Sequence, residues 1–220
     1  MQPRYSHVFF DLDGTLTDSA PGILNSCEYA LSHMGLTIPR SELYAFIGPP
    51  LLDSFTKVTG SREKGQEALR YYREYFSEKG LYENSVYPGI EGLLARLSEA
   101  GCRNVLATAK PLVYAVRILE YFGLDRYFAH MGGADLNGPV RSKKGVLERD
   151  LAETGANPGD VLMVGDRSDD VNAALDLNLA CAAAGWGYAA PGEVDHATFV
   201  CARPADVADL VLSSPVLPQD

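Results

Sequence analysis

The sequence offers little sulfur chemistry: four cysteines in 220 residues, Cys27, Cys102, Cys181 and Cys201. None stands in a CxxC pair, and four scattered thiols are too few for a disulfide scaffold. They are read as small buried side chains of a protein held in a reducing, cytoplasmic compartment. Long apolar runs are missing too. The first spans only Val8–Phe10, nothing approaches the ~20 residues that cross a bilayer, and no secretory signal is recognised. Positive charge is short: 19 lysines and arginines face 29 acidic residues, for a net charge of −10. A field of that sign argues against nucleic acid and anionic membrane as partners. An anionic small molecule must then be gripped locally, by a metal or a few placed cations. The four histidines, His7, His33, His130 and His196, fall in no metal-binding spacing.

What is present is an ordinary globular composition. At 46% hydrophobic the chain is too apolar for disorder, and it is long enough to bury a real core. Its pattern changes along its length. His7–Phe10 reads as a first strand ending in the polar cluster Asp11–Thr15. Between residues 17 and 85 no convincing strand appears, and the block reads as a small helical bundle. Ile23, Cys27, Ala30, Leu31 and Met34 recur at helical spacing up to Gly35; Ser41 caps Glu42–Phe46; Pro49 opens a helix through Phe55; Ser61 caps a long helix stopped near Gly80. Tyr71, Tyr72, Tyr75 and Phe76 are read as core of this block, and Trp186 further on is left open.

After Tyr87-Pro88-Gly89, strands alternate with helices. Strands are predicted at Asn104–Ala107, Phe128–Met131, Val161–Val164, Ala180–Ala183 and Thr198–Val200. Helices are predicted around Ile90–Leu97, Leu112–Leu119, Lys144–Glu153 and Val171–Leu177. That alternation means a parallel sheet. The expected architecture is α/β: a Rossmann-like parallel sheet core from residues 1–16 and 88–220, interrupted by an all-helical domain at 17–87. The tail 213–220 is expected to be loose.

Four polar clusters fall at predicted strand ends or just beyond: Asp11–Thr15, Thr108-Ala109-Lys110, Lys143-Lys144, and Gly165–Asp170. Ligands of open parallel sheets sit at the carboxyl ends of the strands. Asp11 and Asp13, two apart, can face one point there, and Asp170 can look back to Asp166. Several carboxylates at one point require a cation, and an all-oxygen set suits Mg2+. A metal and a lysine can hold a phosphoryl group, Asp11 can attack phosphorus, and Asp13 can move the proton. Lys110 and Arg167 are read as surface charge, and Asp169 as a solvated neighbour.

The run Phe10-Asp11-Leu12-Asp13-Gly14-Thr15-Leu16 resembles the first motif of the haloacid dehalogenase superfamily in its phosphatase form. The other three clusters match that superfamily's remaining motifs in order, so the resemblance covers the whole chain. Tyr82–Leu94 and Ile47-Gly48-Pro49-Pro50-Leu51 look like the phosphoglycolate-phosphatase-like branch. The resemblance implies Asp11 as nucleophile, Asp13 as acid/base, and Thr108 with the Ala109 N–H as phosphoryl grip. It implies Asp11, the Asp13 carbonyl and Asp166 as ligands of Mg2+, with Asp170 a ligand directly or through water. Family spacing favours Lys143 over Lys144 as the third-motif lysine. The substrate implied is a small phosphorylated metabolite, met by a monomer or homodimer, with residues 17–87 as a cap hinged near Leu16–Ser19 and Asn84–Gly89. The alternative is a β-phosphoglucomutase-like sugar-phosphate mutase. Against it, Ile23 stands where those mutases carry a histidine, and Gly48–Leu51 supplies no cation. A dehalogenase is disfavoured by Asp13, and a non-catalytic scaffold by the presence of every motif residue.

Overall fold

The computed structural model describes residues 3–213. The tail expected to be loose lies, apart from Ser213, outside them. The chain divides into two compact units, residues 1–16 with 86–220, and residues 17–85.

The first unit is built on β1 (His7–Phe10), β4 (Arg103–Pro111), β5 (Phe128–Ala134), β6 (Val161–Gly165), β7 (Ala180–Ala184) and β8 (Phe199–Cys201), paired in the order β5-β4-β1-β6-β7-β8. Every pairing is parallel. β1 lies between β4 and β6, with Phe9 opposite Val105 and Met163. A parallel strand covered on both faces reads as a continuous apolar run, as Val8-Phe9-Phe10 does. Alternation then divides its residues. Phe9, Val105, Ala107, Met163 and Cys181 enter one core cluster with Val146 and Leu147 of α7 (Lys143–Thr154) and Val171 and Ala174 of α8 (Ser168–Asp176). Elsewhere α5 (Ile90–Glu99) packs against α9 (Pro204–Leu212), and α6 (Leu112–Tyr121) against β4 and β5.

Several sequence expectations change. β4 does not stop at Ala107 but runs to Pro111, with a register shift between Thr108 and Pro111, so the second polar cluster lies on the strand's last turn of pleat. The helix α9 has no counterpart in the sequence reading, although Pro204 opens it and the Asp206 carboxylate accepts from the Arg203 N–H at 2.9 Å.

The second unit is helical: α1 (Ala20–His33), α2 (Arg40–Leu43), α3 (Leu51–Thr59) and α4 (Arg62–Tyr75), with α4 packed against both α1 and α3. Ser61 caps α4, accepting from the Lys64 N–H at 3.3 Å. Ser41 does not cap its helix, which starts a residue earlier behind Pro39. Of the four aromatics expected in this core only Tyr72 and Phe76 are buried, stacked at 5.3 Å. Tyr71 and Tyr75 are half-buried in a ring series with Tyr29 and His33. A short ribbon, β2 (Thr17–Asp18) with β3 (Ser85–Val86), lies where the chain passes between units, a pair too short to leave a sequence signal. All four cysteines are free and buried. Among the described residues no helix is long and apolar enough to cross a membrane.

Candidate active site

Three parallel strands, β4, β1 and β6, bring the aspartate and threonine clusters to the carboxyl end of the sheet, and the start of α7 brings Lys143. β1 ends at Phe10, and the Asp11 N–H continues its ladder to the Val164 carbonyl at 2.9 Å, so the chain on which Asp11 stands is fixed against β6. Gly14 then turns the chain with φ of +81°, and a methyl group there would overlap the Asp166 carboxylate. Gly165, the last residue of β6, leaves the space that Asp170 fills, since a Cβ would run into that carboxyl group.

Asp11, Asp166 and Asp170 are all buried, with carboxylate oxygens within 4.8 Å of one another. Lys143 is buried among them. Its Nζ donates to Asp11 Oδ1 at 2.6 Å and to the Ala107 carbonyl at 2.7 Å, and it lies 2.8 Å from Asp170 Oδ1. Lys144 turns outward to Asp176 at 3.0 Å. Asp170 Oδ2 accepts from the N–H groups of Asp166 and Arg167, at 3.1 and 3.0 Å, closing the turn into α8. Asp166 accepts from Thr15 Oγ1 at 3.2 Å and from the Tyr188 N–H at 2.7 Å.

Burial shapes the charges. It pushes Asp11 up to about 6; Lys143 opposes the shift, while Asp170 and Asp13 add to it. Asp166 is raised well above the ordinary range by burial and by Asp170 and Asp11. Burial also works against the Lys143 ammonium, but Asp11 and Asp170 outweigh it and hold Lys143 above its usual value. Ionised together, the three carboxylates would outnumber the one ammonium by two negative charges in a buried site. An all-oxygen donor set with that charge fits a divalent cation.

Asp13 sits at the rim, and here the sequence reading is corrected. Lys110 is not surface charge: its side chain is only 6% exposed, and its Nζ holds both Asp13 oxygens, at 2.9 and 2.6 Å. Sequence reasoning missed the pair because its members stand 97 residues apart. Thr108 is buried, its Oγ1 accepting from the Lys110 N–H at 3.2 Å, and Ala109 lies in the irregular end of β4. Arg167 is likewise engaged, its Nε donating to Glu193 at 2.7 Å. The same Glu193 oxygen accepts from the Ser168 N–H at 3.1 Å, and the other from the Ala190 N–H at 2.9 Å. Trp186 donates to the Thr15 carbonyl at 2.9 Å. The loop 185–193 therefore braces both aspartate turns, a role no local pattern announced. Asp169 is exposed.

Residues 8–184 match the family described as haloacid dehalogenase-like hydrolase. The chain belongs to that family, and within it the chain is a phosphoric monoester hydrolase, a phosphatase. It is 39% identical over 193 residues to a 5'-nucleotidase of Pseudomonas aeruginosa, covering 87% of each chain. It is 40% identical over 205 residues to the tyrosine-protein kinase PtkA of Mycobacterium tuberculosis, covering 92% of this chain and 70% of that one. A crystal structure of a predicted phosphatase from Clostridium acetobutylicum superposes with a TM-score of 0.89 at 38% identity, over 93% of this chain and 97% of the other.

Proposed function

We propose that this protein is a Mg2+-dependent, cytoplasmic phosphatase that hydrolyses a small phosphorylated metabolite through an aspartyl-phosphate on Asp11. The observation that carries the reading is the buried cluster of Asp11, Asp166 and Asp170 around the single ammonium of Lys143. Asp11, Asp166 and Asp170, with the Asp13 carbonyl, are the residues that would hold Mg2+, which when bound supplies the positive charge that draws a phosphoryl group to the nucleophile.

Lys143 holds the Asp11 carboxylate in place for attack. An Asp11 oxygen bonds to phosphorus as the bond from phosphorus to the leaving oxygen breaks, and Asp13 gives that oxygen its proton. Water then attacks phosphorus, passes a proton to Asp13, and releases inorganic phosphate and the Asp11 carboxylate. Thr108 and the Ala109 N–H grip the phosphoryl oxygens. Lys110 turns from Asp13 to the arriving phosphoryl group, which frees Asp13 to handle the proton. Residues 17–87 act as the cap that chooses the substrate and excludes bulk water. The likeness to a 5'-nucleotidase supports nucleoside monophosphates, beside 2-phosphoglycolate, as candidate substrates.

A second reading, phosphorylation of protein tyrosine, draws support from the likeness to PtkA. One experiment separates the readings: phosphate release from a panel of nucleoside monophosphates, sugar phosphates, 2-phosphoglycolate and phosphotyrosine, with Mg2+ and after chelation, beside a phosphotyrosine assay with ATP. Metal-dependent phosphate release, without phosphotyrosine formation, is expected. Isomerisation of β-glucose 1-phosphate without phosphate release would point instead to the mutase.

A further inference from the structure

Away from the aspartate cluster, on the edge strand of the sheet, His130 of β5 meets two carboxylates of α7. Its Nε2 lies 3.2 Å from Asp150 Oδ1 and 3.4 Å from Glu153 Oε2, and the three groups offer ligand atoms within 4.8 Å of one another. Asp150 and Glu153 stand three apart on α7, so both project to the same side. We propose that His130, Asp150 and Glu153 form a second metal site, for a divalent transition metal of the Zn2+ type, distinct from the catalytic cluster and independent of the catalytic reading.

Four observations carry it. The first is spacing: Zn2+ bonds of about 2.0–2.1 Å set at tetrahedral angles put neighbouring ligand atoms about 3.3–3.4 Å apart, close to the 3.2 and 3.4 Å of the two His130 contacts. The second is an orphaned atom. The Asp150 side chain is fully buried, and its Oδ2 has no hydrogen-bond partner. An ion pair with His130 accounts for Oδ1 and leaves that second oxygen unexplained, whereas a carboxylate bound to a metal can use both. The third is room: Gly132 on β5 leaves the space the Asp150 carboxyl group occupies, since a methyl group there would overlap both oxygens. The fourth is charge. Neutral His130 and two carboxylates balance a 2+ ion, and Arg149, the cation next to Asp150, is engaged by Asp135 at 2.9 Å and by the Gly133 carbonyl. One nitrogen and two carboxylates make a donor set for Zn2+, Co2+ or Ni2+ rather than for Mg2+. Glu153 is half-exposed, at 53%, so water can complete the coordination. An ion there would tie β5 to the helix that begins at Lys143.

The test uses the full chain. Zn2+ binding is measured by equilibrium dialysis with Mg2+ in excess, and the melting temperature is followed with and without Zn2+, for wild type, His130→Ala, Glu153→Gln and Asp166→Asn. Wild type and Asp166→Asn are expected to bind one Zn2+ through the triad, with Tm raised by roughly 5–10 °C at a hundredfold excess over Kd. His130→Ala and Glu153→Gln should weaken that binding at least tenfold and lose the shift. The exposed Glu153→Gln decides the matter if His130→Ala folds poorly. No Zn2+ bound in Asp166→Asn, or affinity within twofold of wild type in Glu153→Gln, would leave the triad an ion pair and overturn the proposal.

Discussion

Two adjacent lysines illustrate how much one position decides. Lys143 begins α7 and turns in towards the carboxyl ends of the strands, where it pairs with buried Asp11 and Asp170; Lys144 turns to an exposed partner. Removing one partner from a buried ionic group leaves uncompensated charge, whereas an exposed pair contributes about 0–1 kcal/mol. Lys143→Ala should therefore lower phosphate release at least a hundredfold, while Lys144→Ala stays within about twofold. Equal losses in the two variants would contradict the assignment. Glu193 offers a pH test. Burial works against its ionised form, but Arg167 and the N–H groups of Ala190 and Ser168 override this and hold it at about 2, below its ordinary 4.5. A carboxyl group with a depressed folded value contributes stability that is fully present above about pH 4.5 and drains away as pH falls towards 2. Wild type should thus exceed Glu193→Gln in unfolding free energy by about 1–2 kcal/mol at pH 6, after solvent screening. Urea titrations should show that gap shrinking by roughly half at pH 3; a gap that is constant with pH would rule the ionic clamp out.

At the scale of elements, the alternation of strands and helices was legible because each carries its own period, and β1 and β6 stand where their apolar runs put them. The end of β4 was not legible. Thr108, Ala109 and Lys110 look like a loop by composition, and they stay in the strand because β5 pairs beside them as far as Pro111. The short ribbon β2–β3 carries too few residues for any period. Asp11, Asp13, Asp166 and Asp170 could be singled out from their places after strands, but the Lys110–Asp13 pair and the Glu193 brace are tertiary contacts with no local pattern. The same holds for His130, whose spacing in sequence to Asp150 and Glu153 spells no metal motif. The junction of β6 and α8 is testable as an element. Gly165→Ala should push the Asp170 carboxyl group aside, destabilise the protein by about 1–3 kcal/mol, and raise the Mg2+ concentration needed for half-maximal activity. An unchanged metal requirement would show that Asp170 has room to spare.

At the scale of the whole molecule, the chain leaves the sheet straight after its first strand, builds a helical unit over residues 17–85, and returns to finish the sheet. The reading of that unit as a cap predicts a conformational response to the reaction. Small-angle scattering should show a more compact particle when Mg2+ and a phosphoryl analogue such as beryllofluoride are added, and identical curves with and without the analogue would speak against a moving cap. The proposed chemistry turns on one atom, the Asp11 oxygen that would attack phosphorus. The most direct test is phosphate release by Asp11→Asn, on the best substrate from the panel, beside a thermal melt to confirm the fold. Loss of a nucleophile should lower turnover by several orders of magnitude while the variant stays folded; a folded Asp11→Asn variant within about tenfold of wild type would contradict the mechanism.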